Sequence, residues 1–295
     1  MQNKRPANER SARQEREPHC EQTEDIENNS VTDHRHPWLE LQAVEAWIQS
    51  SCVFHHLTLS MRLGEHTAIL GPNGSGKSTL VRLIDRSIHP VVKPESHLRL
   101  FGSVLPRQWE LRQRIGLVSA ELEQRIPPGV QVRDLVLAAF FGAVGLRKDQ
   151  QPSDAQETRV DSLLDSLNLS QLAQTPFKQL SDGQRRRALI ARALAHQPEV
   201  LVLDEPTNAL DLKAKNELLA ALRRLSRDDT TLVVITHQVE TLIPEISRVV
   251  CLKQGALVDD GPSDQILTGP KLSALFDTPL QVISAGGYRQ VMPLS

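Results

Sequence analysis

One stretch constrains the chain more than any other: Gly71-Pro72-Asn73-Gly74-Ser75-Gly76-Lys77-Ser78-Thr79. Ala68-Ile69-Leu70 precedes it and Leu80-Val81-Arg82-Leu83-Ile84 follows, so it reads as strand, glycine-rich turn, helix. Glycine lets a chain turn tightly enough for successive backbone N–H groups to converge on one anion. The helix that follows aims its unsatisfied N–H groups and positive dipole end at the same point. At this spacing Lys77 reaches the β- and γ-phosphates and the Ser78 hydroxyl suits Mg²⁺. The stretch therefore predicts a nucleoside triphosphate site, since a chance glycine-rich loop has no need of a Lys-Ser pair at a helix start.

The rest of the composition narrows what such a site can serve. With 295 residues the chain holds one large domain or two small ones, either able to bury a core. A formal net charge of −2 supplies no global field toward nucleic acid or an acidic membrane. Cys20, Cys52 and Cys251 lie far apart without a C-x-x-C pair, which suits a reducing compartment and offers no thiolate metal site. No apolar run reaches the roughly 18–20 residues that cross a bilayer, and the longest candidate, Val136 to Leu146, is broken by Gly142 and Gly145. The first residues show no apolar segment of the secretory kind. A cytoplasmic location is expected, with no direct membrane insertion and with any membrane contact made through a partner.

Residues 1–37 are polar and read as a disordered charged tail, in which His34 and His36 lack a third metal ligand. Folded structure is expected from Trp38, with Leu39 to Val44 alternating as an edge strand does and Cys52 to Met61 forming another extended run. Ile115 to Ser119 reads as a buried strand. From about 121 to 178 the periodicity turns helical, with Val132, Leu135, Val136 and Ala139, then Val160, Leu163, Leu164 and Leu167. The α/β pattern resumes with helices over Arg185 to His196 and Leu212 to Leu225, and with buried strands at Val200 to Leu203 and Thr231 to Ile235. Hairpins are expected around Gln254-Gly255 and Gly286-Gly287.

Buried strands alternating with helices imply a largely parallel sheet that binds ligands at the carboxyl ends of its strands. Asp204-Glu205 follows four apolar residues, so Asp204 suits a Mg²⁺ site and Glu205 a general base, although a solvated turn also fits. His237, just past another buried strand, could touch a γ-phosphate or be a satisfied structural residue. Leu180-Ser181-Asp182-Gly183-Gln184 is a helix start with Ser181 as N-cap, and functionally a second anion site. Arg185-Arg186-Arg187 reads as a solvated helix face rather than a nucleic-acid patch.

The loop at 71–79, Leu180 to Gln184, Val200 to Glu205, Asn208-Ala209-Leu210-Asp211 and His237 occur in the order seen in ABC-transporter ATPases. They resemble the Walker A, signature, Walker B, D-loop and switch-histidine motifs of that family over roughly residues 38 to 260. The resemblance implies an α/β P-loop NTPase with a RecA-like core, an antiparallel β-subdomain and a helical subdomain inserted at about 121–178. The ATPase domain is then expected over 38–268, with a short C-terminal extension over 269–295. It further implies ATP with Mg²⁺, and a head-to-tail dimer in which Ser181, Gly183 and Gln184 of one cassette complete the site on the Walker A loop of the other. Asp211 joins that shared site, and Trp47 matches the aromatic that stacks on adenine, although it equally fits a core position. Glu205 to Asp211, Val136 to Gly142 and Thr236 to Glu245 look most like iron-chelate and molybdate-type importer ATPases.

The chain departs from the pattern twice. Asp182 stands where the signature usually has Gly, and Ser119-Ala120 stands where a glutamine normally touches Mg²⁺, with Glu121 and Gln124 as substitutes. The expected function is an ATP-hydrolysing subunit driving a separate transmembrane permease. The alternative is a stand-alone ABC ATPase with a regulatory role, which the missing glutamine favours.

Overall fold

The structure, a computed structural model, describes residues 37–294. The tail assigned to 1–37 lies outside the described residues except for Pro37, as do Cys20, His34 and His36. In chain order the structure opens with strands β1 (Pro37–Ile48), β2 (Ser51–Arg62) and β3 (Thr67–Leu70), then helix α1 (Lys77–Ile84), β4 (His97–Leu100), α2 (Gln108–Arg114) and β5 (Ile115–Val118). A helical stretch follows, with α3 (Ala120–Gln124), α4 (Val132–Leu137), α5 (Asp154–Ser166) and α6 (Asp182–Ala193). The chain returns to the sheet through β6 (Val200–Asp204), α7 (Leu212–Leu225), β7 (Thr231–Thr236), β8 (Arg248–Lys253) and β9 (Ala256–Pro262). It closes with α8 (Ser263–Ile266), α9 (Gly269–Phe276), β10 (Leu280–Ala285) and β11 (Tyr288–Pro293).

The central six-stranded sheet runs β5-β6-β7-β3-β8-β9, parallel except for β9. Strands β3 and β7 are buried at every residue, as their unbroken runs of apolar and β-branched residues require when both faces are covered. Because side chains alternate across a strand, Ala68, Leu70, Leu201, Leu203, Leu232 and Val234 enter one core with α6 and α7. Ile69, Val202, Val233, Ile235 and Val250 enter the other, against α1 and the three-stranded sheet β2-β1-β4. The final hairpin, β10 with β11, rests Val282, Tyr288 and Val291 on the first core.

Three expectations need correction. The run from Leu39 to Val44 is no edge strand, since β1 is the middle strand, pairing with both β2 and β4. Alternation reports that one face of a strand is covered and not how many strands pair with it. The register also shifts between Leu41 and Val44, with Ala43 at φ 48°. Strand β5 is outermost in its sheet, and Ile115 and Leu117 are only half-buried. The arginines of α6 are not a solvated face. Arg186 is 8 % exposed, Arg187 pairs with Glu217 at 3.0 Å and Arg185 with Glu123 at 2.9 Å. Their partners come from α7 and α3, too distant in sequence for the triplet itself to reveal them.

Candidate nucleotide site

The loop after β3 takes its shape from its glycines. Gly74 and Gly76 have φ of 80° and 106°, the left-handed region that disfavours a side chain. A Cβ on Gly76 would fall 2.7 Å from the Phe54 ring, and one on Gly71 would fall 2.2 Å from the Leu252 carbonyl. The loop is thus pinned between β2 and β8. Ser75 donates its N–H to the Pro72 carbonyl at 3.2 Å, and its own carbonyl accepts from Gly255 at 3.1 Å. Pro72, Asn73, Gly74 and Ser78 reach the surface, whereas Ser75 and Thr79 are buried. The Ser75 hydroxyl is among the buried polar atoms without a partner.

Lys77 opens α1 and is 6 % exposed. Its Nζ donates to the carbonyls of Gly71 and Pro72 at 2.7 and 3.0 Å and lies 3.9 Å from Glu205 Oε1. Burial lowers its pKa, opposed by the charges of Glu205 and Asp204.

The two carboxylates stand at the end of β6, beside the ends of β7 and β3, in a register that pairs Asp204 with Ile235 and Leu70 with Thr236. Burial first, and the neighbouring Glu205 charge second, push the Asp204 carboxyl up to about 6. Asp204 Oδ1 is buried and has no hydrogen-bond partner among the described residues. Glu205 sits at φ 46°, a conformation costing on the order of 1–2 kcal/mol in a side-chain-bearing residue. Its N–H is held by the Ile235 carbonyl at 2.8 Å. Its Oε2 accepts from the Thr236 hydroxyl at 3.2 Å, and His237 Nδ1–H donates to Oε1 at 2.8 Å. The sequence named Glu205 and His237 but not Thr236. A threonine ending an otherwise apolar strand beside that histidine was the available signal.

The candidates at 181–184 and 211 have local partners instead. Ser181 caps α6 in a reciprocal box with Gln184: the Gln184 N–H donates to Ser181 Oγ at 3.3 Å and the Ser181 N–H to Gln184 Oε1 at 2.9 Å. Asp182 forms an ion pair with Arg185 on its own helix. Asp211 caps α7 by accepting from the Ala214 N–H at 2.7 Å. A Cβ on Gly183 would fall 2.6 Å from that of Ala214, so the close approach this glycine permits is between α6 and α7. Gly183→Ala is expected to lower stability by about 1–3 kcal/mol, the usual cost of overpacking, in a denaturant titration of the full chain. Among the described residues, the hydrogen bonds and ion pairs of Ser181 to Gln184 do not reach Gly71 to Thr79.

Trp47 is 45 % exposed, which sets aside the core alternative, and its Nε1–H donates to Glu45 Oε1 at 2.7 Å. Its neighbour Ala46 pairs with Phe54, the residue whose ring a Cβ on Gly76 would meet. Ser119 caps α3 through the Leu122 N–H, Ala120 is exposed, and Glu121 pairs with Arg125 at 2.6 Å. Beside them opens a cleft of about 350 Å³ lined by Ser119, Glu121, Arg125, Arg112, Arg192 and His196, among others.

Comparison with known proteins agrees with this arrangement. Residues 54–208 match the family described as ABC transporter. The hemin import ATP-binding protein HmuV of Rhodopseudomonas palustris is 31 % identical over 256 residues, covering 83 % of this chain and 90 % of that protein. An ABC transporter described as of metal-chelate type, solved facing inward, superposes with a TM-score of 0.70 at 28 % identity, over 88 % of this chain and 98 % of that one. A dimeric ATP-binding cassette bound to ADP and Pi superposes with a TM-score of 0.63 at 26 % identity, over 76 % and 98 %. Both the ordered motifs and these likenesses lead to one conclusion: the chain belongs to the ABC transporter family, as an ATP-binding and ATP-hydrolysing subunit.

Proposed function

We propose that the chain hydrolyses Mg-ATP at a site shared between two copies and so drives a separate transmembrane permease. The observation that carries this is the convergence of Lys77, Asp204, Glu205 and His237 at the ends of three adjacent parallel strands. In this reading the amides of Gly71 to Thr79 cradle the phosphates and Lys77 Nζ leaves its two carbonyls for the β- and γ-phosphates. The unpartnered Asp204 Oδ1 and the exposed Ser78 hydroxyl are the hard oxygen donors that Mg²⁺ prefers, so these two residues would hold the ion. When bound, it neutralises charge on the phosphates.

Glu205 then accepts the proton of the water that attacks the γ-phosphorus. His237 and Thr236 hold the carboxylate in place, and His237 as the imidazolium would also donate Nε2–H to the γ-phosphate. Ser181, Gly183, Gln184 and Asp211, which reach their own helices here, serve the loop of a second copy. Trp47 stacks on adenine. We read the domain limits as 38–268, with the helical insertion at about 121–178 and an extension over 269–295.

The permease reading draws on the relatives, since HmuV is a hemin import protein and the superposed transporter is of metal-chelate type. It places a metal chelate among the substrate classes to test. No described helix is long and apolar enough to cross a membrane, so attachment to the cytoplasmic face would run through the permease. The cleft beside Ser119 and Glu121 is our seat for a permease segment, and Arg112, Arg192 and His196 on its wall suit acidic side chains there. Size-exclusion chromatography with light scattering tests the shared site. Glu205→Gln with ATP should elute at twice the mass of one chain, and a strict monomer would contradict it.

A further inference from the structure

The exposed indole of Trp47 is gripped at one edge. Its only polar group, Nε1–H, is committed to Glu45 Oε1 at 2.7 Å. The other oxygen of that carboxylate accepts from Lys93 Nζ at 2.6 Å. The backbone of Glu45 is tied to the same segment, because its carbonyl accepts from the Val91 N–H at 2.8 Å. Pro90 and Pro94 bound that segment, fixing φ at both ends and restricting Lys93, just before Pro94, to extended backbone. The hydrogen bond from Lys93 and then that from Trp47 hold the Glu45 carboxyl below the usual carboxylate range. The glutamate side chain is 19 % exposed, and the indole it holds remains open to solvent. With its N–H spent on Glu45, the indole has only its π-face to offer a ligand.

We propose that Glu45, braced by Lys93, is the positioning residue of the nucleotide site, holding the Trp47 ring in the orientation that stacks on the purine. This rests on the reading of Trp47 as the adenine-stacking residue. A ring already fixed forfeits less side-chain freedom when the nucleotide binds, which is the physical content of preorganisation. Glu45 touches no reacting group and acts through the indole alone.

Direct binding of ATP to the full chain by calorimetry tests this across Trp47→Ala, Glu45→Ala, Glu45→Gln and the double alanine variant. Trp47→Ala should weaken binding. Glu45→Ala should raise the Kd roughly threefold to tenfold, the scale of ordering one side chain at a binding surface. Glu45→Gln keeps an oxygen acceptor for the indole and should recover most of the loss. In the Trp47→Ala background, Glu45→Ala should add nothing. The Trp47 indole ¹H–¹⁵N resonance should move in Glu45→Ala.

Wild-type binding by Glu45→Ala alongside weakened binding by Trp47→Ala overturns the brace and leaves stacking intact. Unchanged binding by Trp47→Ala overturns the stacking reading and the brace with it. An equal loss from Glu45→Ala with or without Trp47, or an unmoved indole resonance, shows that Glu45 does not act through the ring and also overturns the proposal.

Discussion

Glu205→Gln is expected to slow ATP hydrolysis at least ~10²-fold while ATP stays bound, the scale of losing a positioned general base. The carboxylate is held for this task from three sides. Its backbone N–H is tied to Ile235, its Oε2 accepts from Thr236, and its Oε1 accepts from His237. The amide has nearly the same shape, its oxygen can still accept from Thr236 and its NH₂ can donate to His237 Nδ1 in the other ring tautomer, so the strand end should keep its form. What it loses is the ability to take a proton. Single-turnover hydrolysis beside equilibrium ATP binding separates the two effects. A variant that hydrolyses ATP at the wild-type rate would remove Glu205 from the mechanism.

Lys77→Ala should weaken ATP binding at least ~10²-fold. A hydrogen bond to a charged group is worth about 1.5–3 kcal/mol, and Lys77 is assigned contacts to two phosphates. The ammonium lies in a buried niche between two backbone carbonyls and beside Glu205, at 2.7, 3.0 and 3.9 Å. Removing it takes away the cation for the phosphates and leaves Asp204 and Glu205 facing the incoming anion uncompensated. Calorimetric titration, with circular dichroism to establish that the variant is folded, reads this directly. Undiminished affinity would contradict the assignment of the loop.

Much of this was legible in the sequence because its causes are local. Strands β6 and β7 announced themselves as unbroken apolar runs, since both faces of the sheet are covered. The start of α6 was legible from Ser181 as its N-cap, whereas the reciprocal bond to Gln184 came with the structure. What stayed hidden depends on residues that only folding brings together. The middle position of β1 was hidden because alternation reports a covered face and not the strands paired on either side. Arg185 and Arg187 pair with Glu123 and Glu217, and nothing in the triplet points to either. The packing of Gly183 against Ala214 needed the meeting of α6 with α7. The hold of His237 and Thr236 on Glu205 needed the pairing of β6 with β7.

The departure at Ser119-Ala120 takes a different form once seen in place. Ser119 ends β5 as a helix cap, and Glu123, further along α3, pairs with Arg185 on α6. Here the segment after β5 is joined to the helix that carries Ser181 by an ion pair within the chain. The permease reading rests on the family's transporter subunits and not on a residue at this position.

The central claim is that each catalytic site draws its loop from one copy and its Ser181-to-Gln184 segment from another. Mixing two inactive variants tests it most directly. One carries Lys77→Ala; the other carries Ser181→Arg, which places a bulky cation at the shared face. Each alone should hydrolyse ATP at background level. A mixed dimer would contain one site with an intact loop facing an intact Ser181, so hydrolysis should return on mixing and rise with the share of mixed dimer. If the mixture stays as inactive as its components while the two chains demonstrably associate, the site is not shared in this way.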